Sequence, residues 1–137
     1  MKIICFVSQE KNFLMLKQQV FSCITPEPDI ERHATIENFT ARLKKGKNSY
    51  RVIIIYARNN TELKAVCSLN KLLLDYRVVM VIPDRKHETL ALTCKLYPRC
   101  FISLDQDIKI LADIINKIHT KFYIPPGLEQ KETETNH

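Results

Sequence analysis

The sequence predicts an α/β domain built on five parallel strands in the order 2-1-3-4-5, with helices on both faces of the sheet. Three observations carry this. Short apolar runs of strand length alternate strictly with longer segments whose apolar residues recur at helical spacing, the pattern of βα units wound around a parallel sheet. The apolar runs are continuous, as in strands covered on both faces. The chain has 137 residues, the length of one domain, with 45% apolar and 26% charged residues, enough to fill a core.

Ile3 to Val7 is the first strand, without a polar interruption. From Glu10 to Cys23, Phe13, Leu16, Val20 and Phe21 return at helical spacing. A weaker, alternating strand follows Pro26 and Pro28, with Ile30 and Ala34 on one side. Thr35 is placed to cap a second helix carrying Ile36, Phe39 and Leu43, and Gly46 to close it. The third strand, Tyr50 to Tyr56, is the clearest, because Val52-Ile53-Ile54-Ile55 is β-branched throughout. Asn60 is then expected to cap one long third helix holding Leu63, Val66, Cys67, Leu69, Leu73 and Leu74. Val78 to Ile82 is the fourth strand, stopped by Pro83. Asp84 is expected to cap a fourth helix that runs to about Leu96 and ends before Pro98. Cys100 to Leu104 is the fifth strand, and Asp105 is expected to cap a fifth helix with Ile108, Leu111, Ile115, Ile118 and Phe122 on one face. Pro125-Pro126-Gly127 ends it, so residues 1–124 are read as the domain and residues 125–137 as a polar tail or linker.

In a sheet of this order, ligands gather at the carboxyl ends of strands one and three. Those ends are Val7-Ser8-Gln9-Glu10 and Ile55-Tyr56-Ala57-Arg58. The chain has only two glycines, Gly46 and Gly127, so neither a P-loop nor a G-x-G-x-x-G turn can be assembled to cradle phosphate. A flavin-carrying reading of the same scaffold fails at the first turn, since Ser8-Gln9-Glu10-Lys11-Asn12 has no glycine and one hydroxyl. The five cysteines, Cys5, Cys23, Cys67, Cys94 and Cys100, are scattered without a C-x-x-C, so reduced thiols and no zinc site are expected. His33, His87 and His119 are not grouped at ligand or triad spacing. The apolar start of the chain meets Ser8-Gln9-Glu10 too early for a signal segment, and no run approaches the roughly 18 residues of a membrane span. The chain is therefore read as cytoplasmic, with no membrane role.

In segment order, length and spacing, residues 1 to 123 resemble a response-regulator receiver domain. The resemblance implies the fold, and position by position it also implies that the family's chemistry is gone. The two acids that hold magnesium at the end of a receiver's first strand fall on Ser8 and Gln9. The aspartate that accepts phosphate at the end of the third strand falls on Tyr56. The hydroxyl residue of the fourth strand falls on Ile82, and the lysine of the fifth on Leu104, with Asp105 in place of the cis proline. Magnesium needs one or two carboxylates before it gives up water. An aspartyl phosphate needs a carboxylate nucleophile, and a phenol with a pKa of about 10 does not substitute. A cis bond after Leu104 would cost roughly 3 kcal/mol, so a trans bond is expected. Tyr56 and Ile82 are expected to form an apolar plug beside Leu104. The implied protein is a pseudo-receiver with no catalytic residue, metal or cofactor.

The fifth helix adds Ile110 and Ile114, one turn apart, to its core face. In receivers the fourth helix, fifth strand and fifth helix contact partners or a second copy. By resemblance, Tyr97, Ile110 and Ile114 are the candidate partner-binding residues, ringed by Arg85, Lys86, Lys95 and Arg99. The expected partner is a protein in a signalling pathway, or a second copy of the chain. The net charge of +6 supports an alternative, a basic nucleic-acid-binding module. It requires Lys44, Lys45, Lys47 and Arg51, with Lys11 or Lys17, to converge on one face. It stands second, because no DNA-reading helix or aromatic stacking motif is visible.

Overall fold

The computed structural model describes residues 1–45 and 51–122. The Gly46 stop, Lys47 and Tyr50, and the tail with Pro125-Pro126-Gly127, lie outside the described residues. Five strands, β1 (Lys2–Val7), β2 (Asp29–His33), β3 (Arg51–Tyr56), β4 (Arg77–Ile82) and β5 (Cys100–Ser103), form one parallel sheet in the expected order β2-β1-β3-β4-β5. Alternate residues of a strand point to opposite faces, and here both faces are covered. Ile3, Cys5, Val7, Ile54, Tyr56, Val79, Val81 and Ile102 fill one core, whereas Ile4, Phe6, Ile53, Ile55, Met80 and Ile82 fill the other. This is the physical meaning of the uninterrupted apolar runs. Deep in the first core, burial pushes the Cys5 thiol up to about 12, which leaves it an inert apolar filler.

The helices α1 (Glu10–Gln19) and α6 (Ile110–Phe122) close the first core through Leu16, Leu111, Ile115 and Ile118. The helices α2 (Ile36–Lys44), α3 (Asn60–Cys67), α4 (Asn70–Leu73) and α5 (His87–Cys94) lie over the second, to which α2, α3 and α4 give Phe39, Leu43, Leu63, Val66 and Leu73. Thr35 caps α2 as expected, its hydroxyl accepting the Asn38 N–H at 3.2 Å.

Five helix boundaries differ from the sequence reading, where local hydrogen bonds decide them. The first helix leaves helical geometry at Val20 and finishes in a tighter turn over Phe21–Cys23. The long third helix is two: the Ser68 hydroxyl donates to the Ala65 carbonyl at 2.6 Å and the chain turns before α4 begins. Its cap is Asn59, which accepts the Glu62 N–H at 2.9 Å, while Asn60 accepts the Thr89 hydroxyl at 3.1 Å and ties α3 to α5. Neither Asp84 nor Asp105 caps a helix. Asp84 accepts the Lys86 N–H at 2.9 Å ahead of α5, and Asp107, not Asp105, accepts the Lys109 N–H at 3.0 Å ahead of α6. Among the described residues only Thr25–Pro26 is cis, so the bond after Leu104 is trans.

The edge strand β2 has one neighbour and a charged sequence, Asp29-Ile30-Glu31-Arg32-His33, so apolar burial alone does not hold it. Glu31 does much of that work. Its carboxylate meets Lys2 Nζ at 3.3 Å, His33 Nε2 at 2.6 Å and Arg42 Nε at 2.6 Å, joining β1, β2 and α2. Burial pushes the Glu31 carboxyl up, but His33, Lys2 and Arg42 together outweigh it and hold its pKa below the ordinary value. A carboxyl lowered in the folded state stabilises it above the usual carboxylate range and loses that contribution as pH falls through the lowered pKa. Glu31→Gln is therefore expected to cost on the order of 1 kcal/mol at neutral pH. Urea denaturation should show the gap between variant and wild type closing in acid, where both side chains are neutral. A gap that persists unchanged at low pH would refute this role.

Candidate functional site

The carboxyl edge of the sheet gathers the residues that sequence order aligned with receiver chemistry. Ser8 follows β1, and its hydroxyl donates to a carboxylate oxygen of Glu62 on α3. The same carboxylate accepts the Arg58 backbone N–H at 3.0 Å and pairs with Arg58 Nε at 3.1 Å. Asn59 and Glu62 thus share the helix start much as in a capping box, except that Glu62 reaches back to Arg58 and across to β1. From β2, Arg32 donates to the Val7 carbonyl at 3.0 Å and the Ser8 carbonyl at 3.4 Å, with its guanidinium 5.3 Å over the Phe13 ring. Gln9 stands at the start of α1 without a side-chain capping bond; its carbonyl accepts the Asn12 and Phe13 N–H groups at 3.1 and 3.2 Å. The exit of β1 is thus closed by an arginine and a serine–glutamate bond.

Tyr56 is 6% exposed and packs in the first core with Val7 and Leu111. Burial pushes its phenol pKa up, further from a usable nucleophile. The expected plug of Tyr56 with Ile82 does not form. Tyr56 is in register with Val81, so Ile82 points to the opposite face and is buried there with Met80. Leu104 is no neighbour of a plug either: β5 ends one residue earlier, and Leu104 is 41% exposed.

The residue before it, Ser103, is fully buried and was not picked out from the sequence. Arg85, from the loop after β4, donates to the Ser103 hydroxyl at 3.2 Å and to Gln106 Oε1 at 2.6 Å. Gln106 Oε1 also accepts the Ser103 N–H at 3.0 Å, and the Ser103 hydroxyl donates to Asp105. The Arg85 guanidinium lies 5.5 Å over the Phe101 ring. Asp105 is thereby engaged with β5 instead of capping α6. The loops after β4 and β5 are clamped together, and the hydroxyls of Ser8 and Ser103 are both committed. No group of three or more His, Cys, Asp or Glu able to hold a metal occurs among the described residues.

The partner-binding candidates do not form one patch. Ile110 is 39% exposed at the start of α6, and Ile114, one turn on, is half-buried against the first core. Tyr97 precedes the first residue of β5 and Ile110 follows its last, so they stand at opposite ends of that strand. Of the basic residues named for nucleic acid, Lys44 and Lys45 end α2 beside the entry to β3, which Arg51 opens. Lys11 lies in the first turn of α1, at the other edge, and Lys47 lies outside the described residues.

No family model and no curated protein matches this sequence. Two solved structures share the fold. One is a pilus assembly protein, CpaE, from Burkholderia thailandensis, with a TM-score of 0.66 and 16% identity over 88% of this chain and 98% of that one. The other is a pilus assembly-related protein from Burkholderia pseudomallei, with a TM-score of 0.63 and 17% identity over 88% and 90%. At such identities the likeness concerns the fold, which is receiver-like.

The clamp predicts a local effect. Arg85→Ala should speed amide hydrogen exchange across residues 103–107 while lowering global stability by only about 1 kcal/mol. Unchanged exchange there would show that Arg85 does not hold the loop.

Proposed function

We propose that this chain is a non-catalytic, receiver-like signalling module that works by protein–protein contact, independently of phosphorylation. One observation carries the reading: the position of the phospho-acceptor holds a buried tyrosine, and no carboxylate stands at either position aligned with the magnesium acids. The clamps at Glu62 and Arg85 support it, because they tie down the loops that such a switch would have to move. The solved structures of like fold are described as pilus assembly proteins, which is consistent with a module that serves an assembly. The partner face we assign is Ile110 and Ile114 at the start of α6, with Leu104 at the exit of β5.

Incubation with a small phosphodonor and magnesium should leave the mass unchanged; a stable, acid-labile adduct would overturn the reading. The face is tested separately. Ile110→Asp with Ile114→Asp should abolish self-association seen by sedimentation, or capture of a partner first identified with the wild-type chain, while the fold persists by circular dichroism. Association that survives both changes would remove this face.

A further inference from the structure

The turn that leaves β5 carries a side chain that turn chemistry does not explain. The Gln106 N–H bonds the Ser103 carbonyl at 2.9 Å, closing a tight turn with Leu104 and Asp105 at its centre. Such positions are ordinarily filled by glycine, proline, asparagine, aspartate or serine, whose backbone preferences suit a turn. Leu104 has none of these preferences, and it is 41% exposed. Had β5 run one residue further, alternation would have turned Leu104 to the face of Ile102, in the first core. Instead its N–H is anchored to the Ile82 carbonyl at 2.9 Å while its side chain stays outside.

What fixes the turn comes from another part of the chain. Phe101 and Ser103 share the second face of the sheet, Phe101 packed against the second core and Ser103 in register with Ile82. Arg85 lies across both, its guanidinium 5.5 Å over the Phe101 ring and its Nε donating to the Ser103 hydroxyl at 3.2 Å. That hydroxyl donates its own hydrogen to Asp105. The chain from Arg85 through Ser103 to Asp105 thus runs one way, so that each bond polarises the next. Arg85 also donates to Gln106 Oε1 at 2.6 Å, which accepts the Ser103 N–H at 3.0 Å. Three of the four turn residues are tied to Arg85, directly or through the Ser103 hydroxyl, and the fourth is Leu104. The core has no use for that hydroxyl, which is fully buried and is accounted for by the clamp.

We propose that Arg85 is a positioning residue for the partner face: it sets the turn that presents Leu104 to a partner, ahead of Ile110 and Ile114. The inference rests on the face assigned above and adds to it the group that holds the face in shape. Arg85 acts through Ser103, which is fully buried and cannot touch a partner itself.

Two measurements on the full chain test it. Nitrogen-15 relaxation should show rigid amides over residues 104–106, with order parameters of about 0.85, and Arg85→Ala should lower them below about 0.6 there alone. Association, read by sedimentation with a second copy or with a partner captured by the wild-type chain, should weaken about tenfold in Arg85→Ala and likewise in Ser103→Ala, with circular dichroism unchanged. In a Leu104→Ala background, Arg85→Ala should weaken it no further, because the two act through one contact. Order parameters indifferent to Arg85→Ala would overturn the proposal. So would fully additive losses in the double variant, which would make Arg85 a contact in its own right. Wild-type association that is absent, or that survives Ile110→Asp with Ile114→Asp, would instead remove the face, and the relaxation result alone would then decide whether Arg85 sets the turn.

Discussion

Two-sided burial of the central strands is the constraint on which the rest of the structure depends. β1, β3 and β4 are apolar at nearly every position, and each fully buried isoleucine or valine contributes about 1.5–3 kcal/mol only if helices cover both faces. That demand places α1 and α6 on one side and the other helices on the second. It also fixes which way every strand residue points. Tyr56 and Ile82 lie at the ends of neighbouring strands, but register assigns them to different cores.

With the faces occupied, polar chemistry is confined to the two edges of the sheet. At the exit edge, charges and hydroxyls neutralise one another: Ser8 with Glu62, Glu62 with Arg58, Arg32 with the carbonyls of β1, and Arg85 with Ser103 and Gln106. Apart from the Arg58–Glu62 pair, which lies within the segment after β3, these bonds join residues of different strands or of the loops that follow them, which resists movement of one loop without the others. At the entry edge, Lys2 pairs with Glu31 and the Arg99 N–H bonds the Val78 carbonyl. An edge whose charged and polar groups satisfy one another in this way has little left to offer a ligand.

The outer strands show a second kind of stabilisation. β2 is half-buried and charged, and the Glu31 cluster with Lys2, His33 and Arg42 replaces the apolar contacts it lacks. The cluster was invisible in the sequence because its members come from three elements. Ser103 was missed for a related reason: a serine inside a short apolar strand gives no sign that Arg85, 18 residues earlier, will reach it. Glu62 did leave a signal, as the third residue after Asn59, but the neighbouring Asn60 offered an equally good cap by residue type.

The sequence by itself determined the class of fold, the number and order of strands and most of the core, because hydrophobic periodicity is local and a parallel sheet leaves few topologies for it. It also determined that no carboxylate stands at the positions aligned with receiver phosphorylation, since that is a matter of residue identity alone. Only the tertiary structure decided helix boundaries, where single side-chain hydrogen bonds compete with the backbone, and which face each strand residue takes, where a one-residue register offset sends Ile82 away from Tyr56. It alone set Tyr97 and Ile110 at opposite ends of β5 and brought Lys2, Glu31, His33 and Arg42 into one cluster. Those relations join residues far apart in the chain, and strand pairing, which no local pattern encodes, is what makes them neighbours.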